Sequence, residues 1–100
     1  MRIVAMTTDL MDRSRISGAL ADIEFTTDVS AATGADVVVI DLARHAAAVA
    51  AVRAAAPGAR IVAFGPHVDT EAFARASEAG ADEVLPRSRF FQDPAAALRR

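Results

Sequence analysis

Val37-Val38-Val39-Ile40-Asp41-Leu42 is the stretch on which the reading of this chain turns. Four consecutive β-branched residues carry no polar face, so the run suits a strand covered on both sides, as in the middle of a parallel sheet. The carboxylate of Asp41 then falls at the C-terminal end of that strand. Open α/β sheets place their binding and chemistry at that edge, so a site is expected around Asp41.

On either side of this run, turn and cap signals divide the chain into short apolar runs and helical patterns. Residues 3–6 read as a first strand that ends at Thr7-Thr8. A helix is expected over residues 10–21, with Ile16 and Leu20 four apart on one face and Asp9 or Asp12 available as its cap. Residues 23–27 read as a second strand. Residues 28–35 leave room for only a turn or two of helix, stopped by Gly34, before the buried strand at 36–40. The alanine-rich segment 43–56, with Val49 and Val52 on its inward stripe, reads as one helix ended by Pro57-Gly58. Residues 61–64 form a fourth strand. Asp69 then caps a helix whose Phe73, Ala76 and Ser77 share a face and which Gly80 ends. Residues 83–85 make a short last strand, and Asp93-Pro94 opens a final helix running to Arg100.

Strands alternating with helices through short connections predict an α/β fold, because each parallel return requires a crossover. The expected architecture is one domain over residues 1–100, a flavodoxin-like three-layer sandwich with a five-stranded parallel sheet of order 2-1-3-4-5. Its crevice should lie where the first and third strands separate. Along that rim fall Thr7 and Thr8, Asp41, Gly65 and Pro86-Arg87.

Composition narrows the function. Eleven basic and 13 acidic side chains leave a net charge of −2, which gives no electrostatic reason to expect nucleic acid or an anionic membrane. The absence of cysteine excludes disulfides, thiolate metal sites and thiol catalysis. No basic leader precedes the first strand and no apolar run approaches the roughly 20 residues of a membrane span, so a cytoplasmic domain is expected. His45 and His67, the only histidines, lack a spacing suited to a shared metal and read as surface residues. The hydrophobic fraction of 53% is largely alanine and valine, without tryptophan or tyrosine. Flavin binding, the small-ligand alternative for this architecture, therefore lacks the tryptophan or tyrosine that would stack on the cofactor.

The stretches Ala35 to Leu42, Ala59 to Phe64, Ala79 to Arg87 and Phe91-Gln92-Asp93-Pro94, in this order and spacing, resemble the receiver domain of two-component response regulators. The resemblance runs almost end to end. It implies a phosphoacceptor aspartate at Asp41, which in receivers takes a phosphoryl group from a histidine kinase beside a bound Mg²⁺. The family's metal-holding acidic pair corresponds to Thr7 and Thr8, its hydroxyl to Gly65 and its lysine to Arg87. The aromatic often found in the fifth strand corresponds to Val84. Only Asp41 keeps its family identity.

These departures matter because Mg²⁺ sheds water reluctantly and is held by carboxylates, for which neutral hydroxyls are poor substitutes. Asp9, next along, could supply a carboxylate to a metal beside Asp41, but it is displaced by one residue and is equally explained as a helix cap. Arg87 keeps a positive charge but offers a planar fork in place of a point charge. It has two readings, a surface arginine without a fixed partner or a standing charge-assisted pair with Asp41. The resulting expectation is a pseudo-receiver, a signalling and protein-interaction module without catalysis or cofactor and independent of phosphorylation. The alternatives are a receiver phosphorylated on Asp41 with Mg²⁺, and a small-ligand binder using the same crevice. The expected partners are proteins of a signalling pathway. The resemblance implies docking on the face of the fourth helix, fifth strand and fifth helix. A homodimer through the segment from Val84 to Phe91 is a further expectation, for which the Phe90-Phe91 pair would supply the contact if the pair does not simply close the core.

Overall fold

The computed structural model describes residues 1–99. Five strands, β1 (Ile3–Met6), β2 (Glu24–Phe25), β3 (Val37–Asp41), β4 (Arg60–Gly65) and β5 (Glu83–Pro86), form one sheet of order β2-β1-β3-β4-β5. All four pairings are parallel. The expected strand order and the central place of the Val37–Ile40 run are therefore observed. All five residues of β3 are buried.

The alternation along each strand sends its side chains into two apolar layers. Val4, Met6, Val38, Ile40, Ile61 and Ala63 pack beneath α3 (Ala48–Ala55) and α4 (Thr70–Ala79). Ile3, Ala5, Val37, Val39, Val62, Phe64 and Leu85 meet Ile16 of α1 (Leu10–Ala19), Phe90 of α5 (Arg87–Gln92) and Leu98 of α6 (Pro94–Leu98). By the same alternation Thr7, Asp41 and Phe64 fall on the α1 side. Asp41 is registered against Phe64, while Met6 is registered against Ile40, so Thr7 and Asp41 come one step beyond that last β1–β3 pair.

Several boundaries differ from the sequence reading, each for a physical reason. β2 is an edge strand registered on β1 at Glu24 and Phe25; Thr26 N still donates to Ala5 O at 3.1 Å, after which Thr26 Oγ1 accepts from Asp28 N at 3.0 Å and turns the chain out of the sheet. The connection to β3 is a 3₁₀ turn, Val29–Ala32. The alanine-rich segment is two helices, α2 (Leu42–His45) and α3, separated by Ala46 and Ala47. Asp41 caps α2 by accepting from Ala43 N at 3.0 Å. Val49 N donates to Ala46 O at 3.3 Å, an i→i−3 bond that tightens the joint, and alanine side chains offer little to resist it. In α4, Phe73 and Ala76 pack on the core but Ser77 is exposed. Residues 87–92, to which the sequence patterns assigned no helix, form α5, which Phe90 anchors by stacking on Phe64 with centroids 4.8 Å apart. Asp93 caps α6 as expected, accepting from Ala96 N at 3.1 Å. Arg100, the expected end of that helix, lies outside the described residues.

Candidate functional site

The rim is built by the ends of β1, β3, β4 and β5. Asp9 begins α1 as its cap, with Oδ1 accepting from Asp12 N at 3.0 Å. That cap fixes the first turn and aims Asp12 inward on the same stripe as Ile16, the two being the buried residues of α1. A carboxylate facing an apolar layer needs a partner, and Arg87 supplies it. Its Nη1 donates to Asp12 Oδ2 at 2.9 Å and its Nη2 to Oδ1 at 2.7 Å, a two-bond fork of the kind that makes arginine–carboxylate pairs strong and directional.

Arg87 therefore has a fixed partner, but the partner is Asp12 and not Asp41. The guanidinium lies over the rings of Phe64 at 5.5 Å and Phe91 at 5.1 Å, which carries it across to α1. Asp41 is committed elsewhere as the cap of α2. The Asp12 carboxylate, ahead of the weaker fields of Asp41 and Asp9, raises the Arg87 pKa above its ordinary value. The guanidinium thus sits in the combined field of three carboxylates. Asp9 is held below the ordinary carboxylate range, first by the Asp12 backbone N–H and less by that of Met11 and by Arg44 and Arg87, against an opposing cost of desolvation.

Thr7 and Thr8 part company. Thr7 is buried, and its Oγ1 has no hydrogen-bond partner among the described residues. Thr8 is exposed, with Oγ1 3.3 Å from His45 Nε2. His45 is accordingly half-buried against the rim rather than a free surface residue, whereas His67 is exposed. Gly65 is closed in. A Cβ there would come 3.3 Å from Leu42 Cβ and 3.4 Å from Phe73 Cε1, so the missing hydroxyl is part of the packing between α2 and α4.

A magnesium ion finds a poor donor set. Among the described residues no group of three or more His, Asp or Glu is placed to hold a metal ion. Of the nearby carboxylates, both oxygens of Asp12 are bonded to Arg87, and Asp9 and Asp41 each spend an oxygen on a helix cap. The residues present do not fit the ion.

Asp12 is the site residue that the sequence reading left as a possible cap. Its signal was the spacing: Asp12 continues the Ile16–Leu20 stripe one turn earlier, and a charge on a buried stripe announces a counter-charge. The Phe90-Phe91 pair closes the core. Phe90 is fully buried, and Phe91 is half-buried edge-on to Phe64 and Phe90. The large exposed apolar residues are instead Met1, Leu10, Met11 and Val68. No described helix is long and apolar enough to cross a membrane.

No protein-family model matches the chain, and no curated protein matches it in sequence. Solved structures do match. A response regulator from Burkholderia pseudomallei, solved with a phosphorylated aspartic acid, superposes with a TM-score of 0.81 at 15% identity, over 97% of this chain and 65% of the other. This chain thus spans less than two thirds of that protein. The BeF3-activated DrrB receiver domain gives 0.78 at 16% identity over 95% and 91%. A CheY-like protein (tadZ) from Pseudomonas aeruginosa PAO1 gives 0.71 at 21% identity over 88% and 87%. The fold is that of CheY-like response-regulator receiver domains.

Proposed function

We propose that this chain is a pseudo-receiver, a protein-interaction module of a two-component-like signalling pathway that works without catalysis and without phosphorylation. The observation that carries the reading is the Arg87–Asp12 fork. In a working receiver the cation after the fifth strand meets phosphoryl oxygens as they arrive. Here that position is an arginine already saturated by a buried carboxylate 75 residues away in sequence. Thr7 and Thr8 add no charge for a metal, and Gly65 has no hydroxyl to report a phosphate. Charge developing on a transferred phosphoryl group would lack its main stabiliser. Such a module presents one fixed surface to a protein partner in the cytoplasm.

Incubation with acetyl phosphate and Mg²⁺ followed by intact-mass spectrometry tests this. The expected result is unmodified protein. An adduct of one phosphate that disappears in Asp41→Asn would establish the second reading, a phosphorylatable receiver. One observation favours that reading: the only hydrogen bond to the Asp41 carboxylate among the described residues comes from Ala43 N, which leaves its second oxygen uncommitted.

A further inference from the structure

Beside the fork, α1, α5 and the start of α6 enclose an open groove of about 1050 Å³ lined by Arg15, Arg87, Ser88, Arg89, Phe91, Gln92 and Pro94. It holds three guanidinium groups and no carboxylate. Arg87 is neutralised by Asp12, but the other two cations are not. Arg15 is exposed and rests over the Phe91 ring at 5.4 Å, without an ion pair among the described residues. Arg89 is exposed and has no hydrogen bond, ion pair or ring contact among the described residues. Asp93, the cap of α6, spends an oxygen on that cap.

We infer that this groove is a docking site for an acidic segment of a partner protein, read by Arg15 and Arg89 with Ser88 and Gln92 as neutral hydrogen-bonding neighbours. This deepens the interaction-module reading and rests on it for the partner's being a protein. Three observations set the ligand class. The groove is open, with a lining polar and apolar in about equal parts, rather than an enclosed apolar pocket of the kind that takes small molecules, which suits a stretch of polypeptide. The free charge is cationic, and planar guanidinium groups match carboxylates two bonds at a time. The chain as a whole carries −2, so a nucleic acid long enough to leave the groove meets net repulsion, whereas a short acidic segment meets only the local positive field. Arg15 is also partly pre-positioned by Phe91, which lowers the ordering cost of binding. The groove opens on the α1 side of α5, away from the α4 side to which the family resemblance pointed.

The test is fluorescence anisotropy with a labelled glutamate-rich peptide, its glutamine-for-glutamate analogue, inorganic phosphate and a single-stranded oligonucleotide. The glutamate peptide should bind, and its affinity should fall steeply as salt rises from about 50 mM to about 0.5 M. The glutamine analogue should bind about tenfold more weakly or worse. Arg15→Gln with Arg89→Gln should lower affinity for the glutamate peptide by about tenfold or more, while the melting curve, since both side chains are exposed, stays in place. Equal binding of the two peptides, unchanged affinity in the double variant, tighter binding of the oligonucleotide, or displacement of the peptide by phosphate at equal concentration would each overturn the assignment. The acetyl phosphate experiment separates this proposal from the one beneath it. An adduct on Asp41 sinks phosphorylation independence and leaves the peptide result standing, and failed peptide binding without an adduct does the reverse.

Discussion

Arg87 and Asp12 face each other through two hydrogen bonds of 2.7 and 2.9 Å, and they join the first residue of α5 to the first turn of α1. The Asp12 side chain is 4% exposed and the Arg87 side chain 37%. Water can therefore solvate the arginine if its partner goes, but it cannot easily reach the aspartate if the arginine goes. The two halves of the pair should respond unequally to truncation.

Arg87→Ala is expected to destabilise the fold by about 2–4 kcal/mol, because it strands a buried charge. Asp12→Ala should cost less, about 1–2 kcal/mol, since the freed guanidinium is screened by solvent. Urea denaturation of both single variants and the double variant measures the coupling. A double-mutant cycle giving less than about 0.5 kcal/mol would place the fork among surface pairs of no consequence.

Thr7→Val should leave stability unchanged or raise it by about 1 kcal/mol, because the buried hydroxyl it removes makes no hydrogen bond among the described residues and the replacement has nearly the same shape. Thermal unfolding checks this. A clear loss of stability would mean that the hydroxyl holds a partner, such as a bound water, worth keeping.

Gly65→Ser, which restores a hydroxyl at the rim, should destabilise by about 1–2 kcal/mol, because the new Cβ presses on Leu42 and Phe73. It should not make Asp41 a phosphoacceptor, since the cation and acidic-pair positions are untouched. Denaturation together with the acetyl phosphate assay reads both effects, and phosphorylation in this variant would show that the hydroxyl alone had been limiting.

Gly80 ends α4 with φ of +119°, and an added Cβ would lie 2.8 Å from Arg53 Cγ. Arg53 is not free to retreat, because it donates to Gly80 O, Pro57 O and Ala59 O and pairs with Asp82 at 2.6 Å. Gly80→Ala should therefore cost about 2–4 kcal/mol, more than an ordinary helix-ending glycine. The expected sign is a large drop in Tm.

The pH dependence follows from Asp9. Its pKa is lowered in the folded state, so the stabilisation is present above the ordinary carboxylate value and is lost as pH falls through the lower, folded one. Asp9→Ala should lower Tm by a few degrees at neutral pH through loss of the cap. The difference should close in strong acid, below the folded pKa. A gap that persists there would assign the effect to packing.

Most of the fold was legible because its signals are local. The Val37–Ile40 run marked the central strand, Asp69 and Gly80 bracketed α4, and Asp93-Pro94 opened α6. The residues lost to the sequence reading depend on partners distant in the chain. α5 forms because Phe90 finds Phe64, and the alanines of residues 43–56 carry too little side chain to announce where one helix axis yields to the next. At the site, Asp41, Thr7, Thr8, Gly65 and Arg87 were placed correctly on one rim, but the pairing was misread. Asp9 and Asp12 were both available as the cap of α1 and Asp9 took that role; only the stripe that Asp12 shares with Ile16 hinted at a buried charge.

An ion borrowed from solvent comes and goes with supply, and a chelator can strip it out. A positive centre grafted onto the backbone at Arg87 cannot be diluted or replaced by a competing metal. The charge of this fork is thus written at translation, and on the pseudo-receiver reading proposed above the shape of the cleft should be indifferent to the divalent-ion content of the medium.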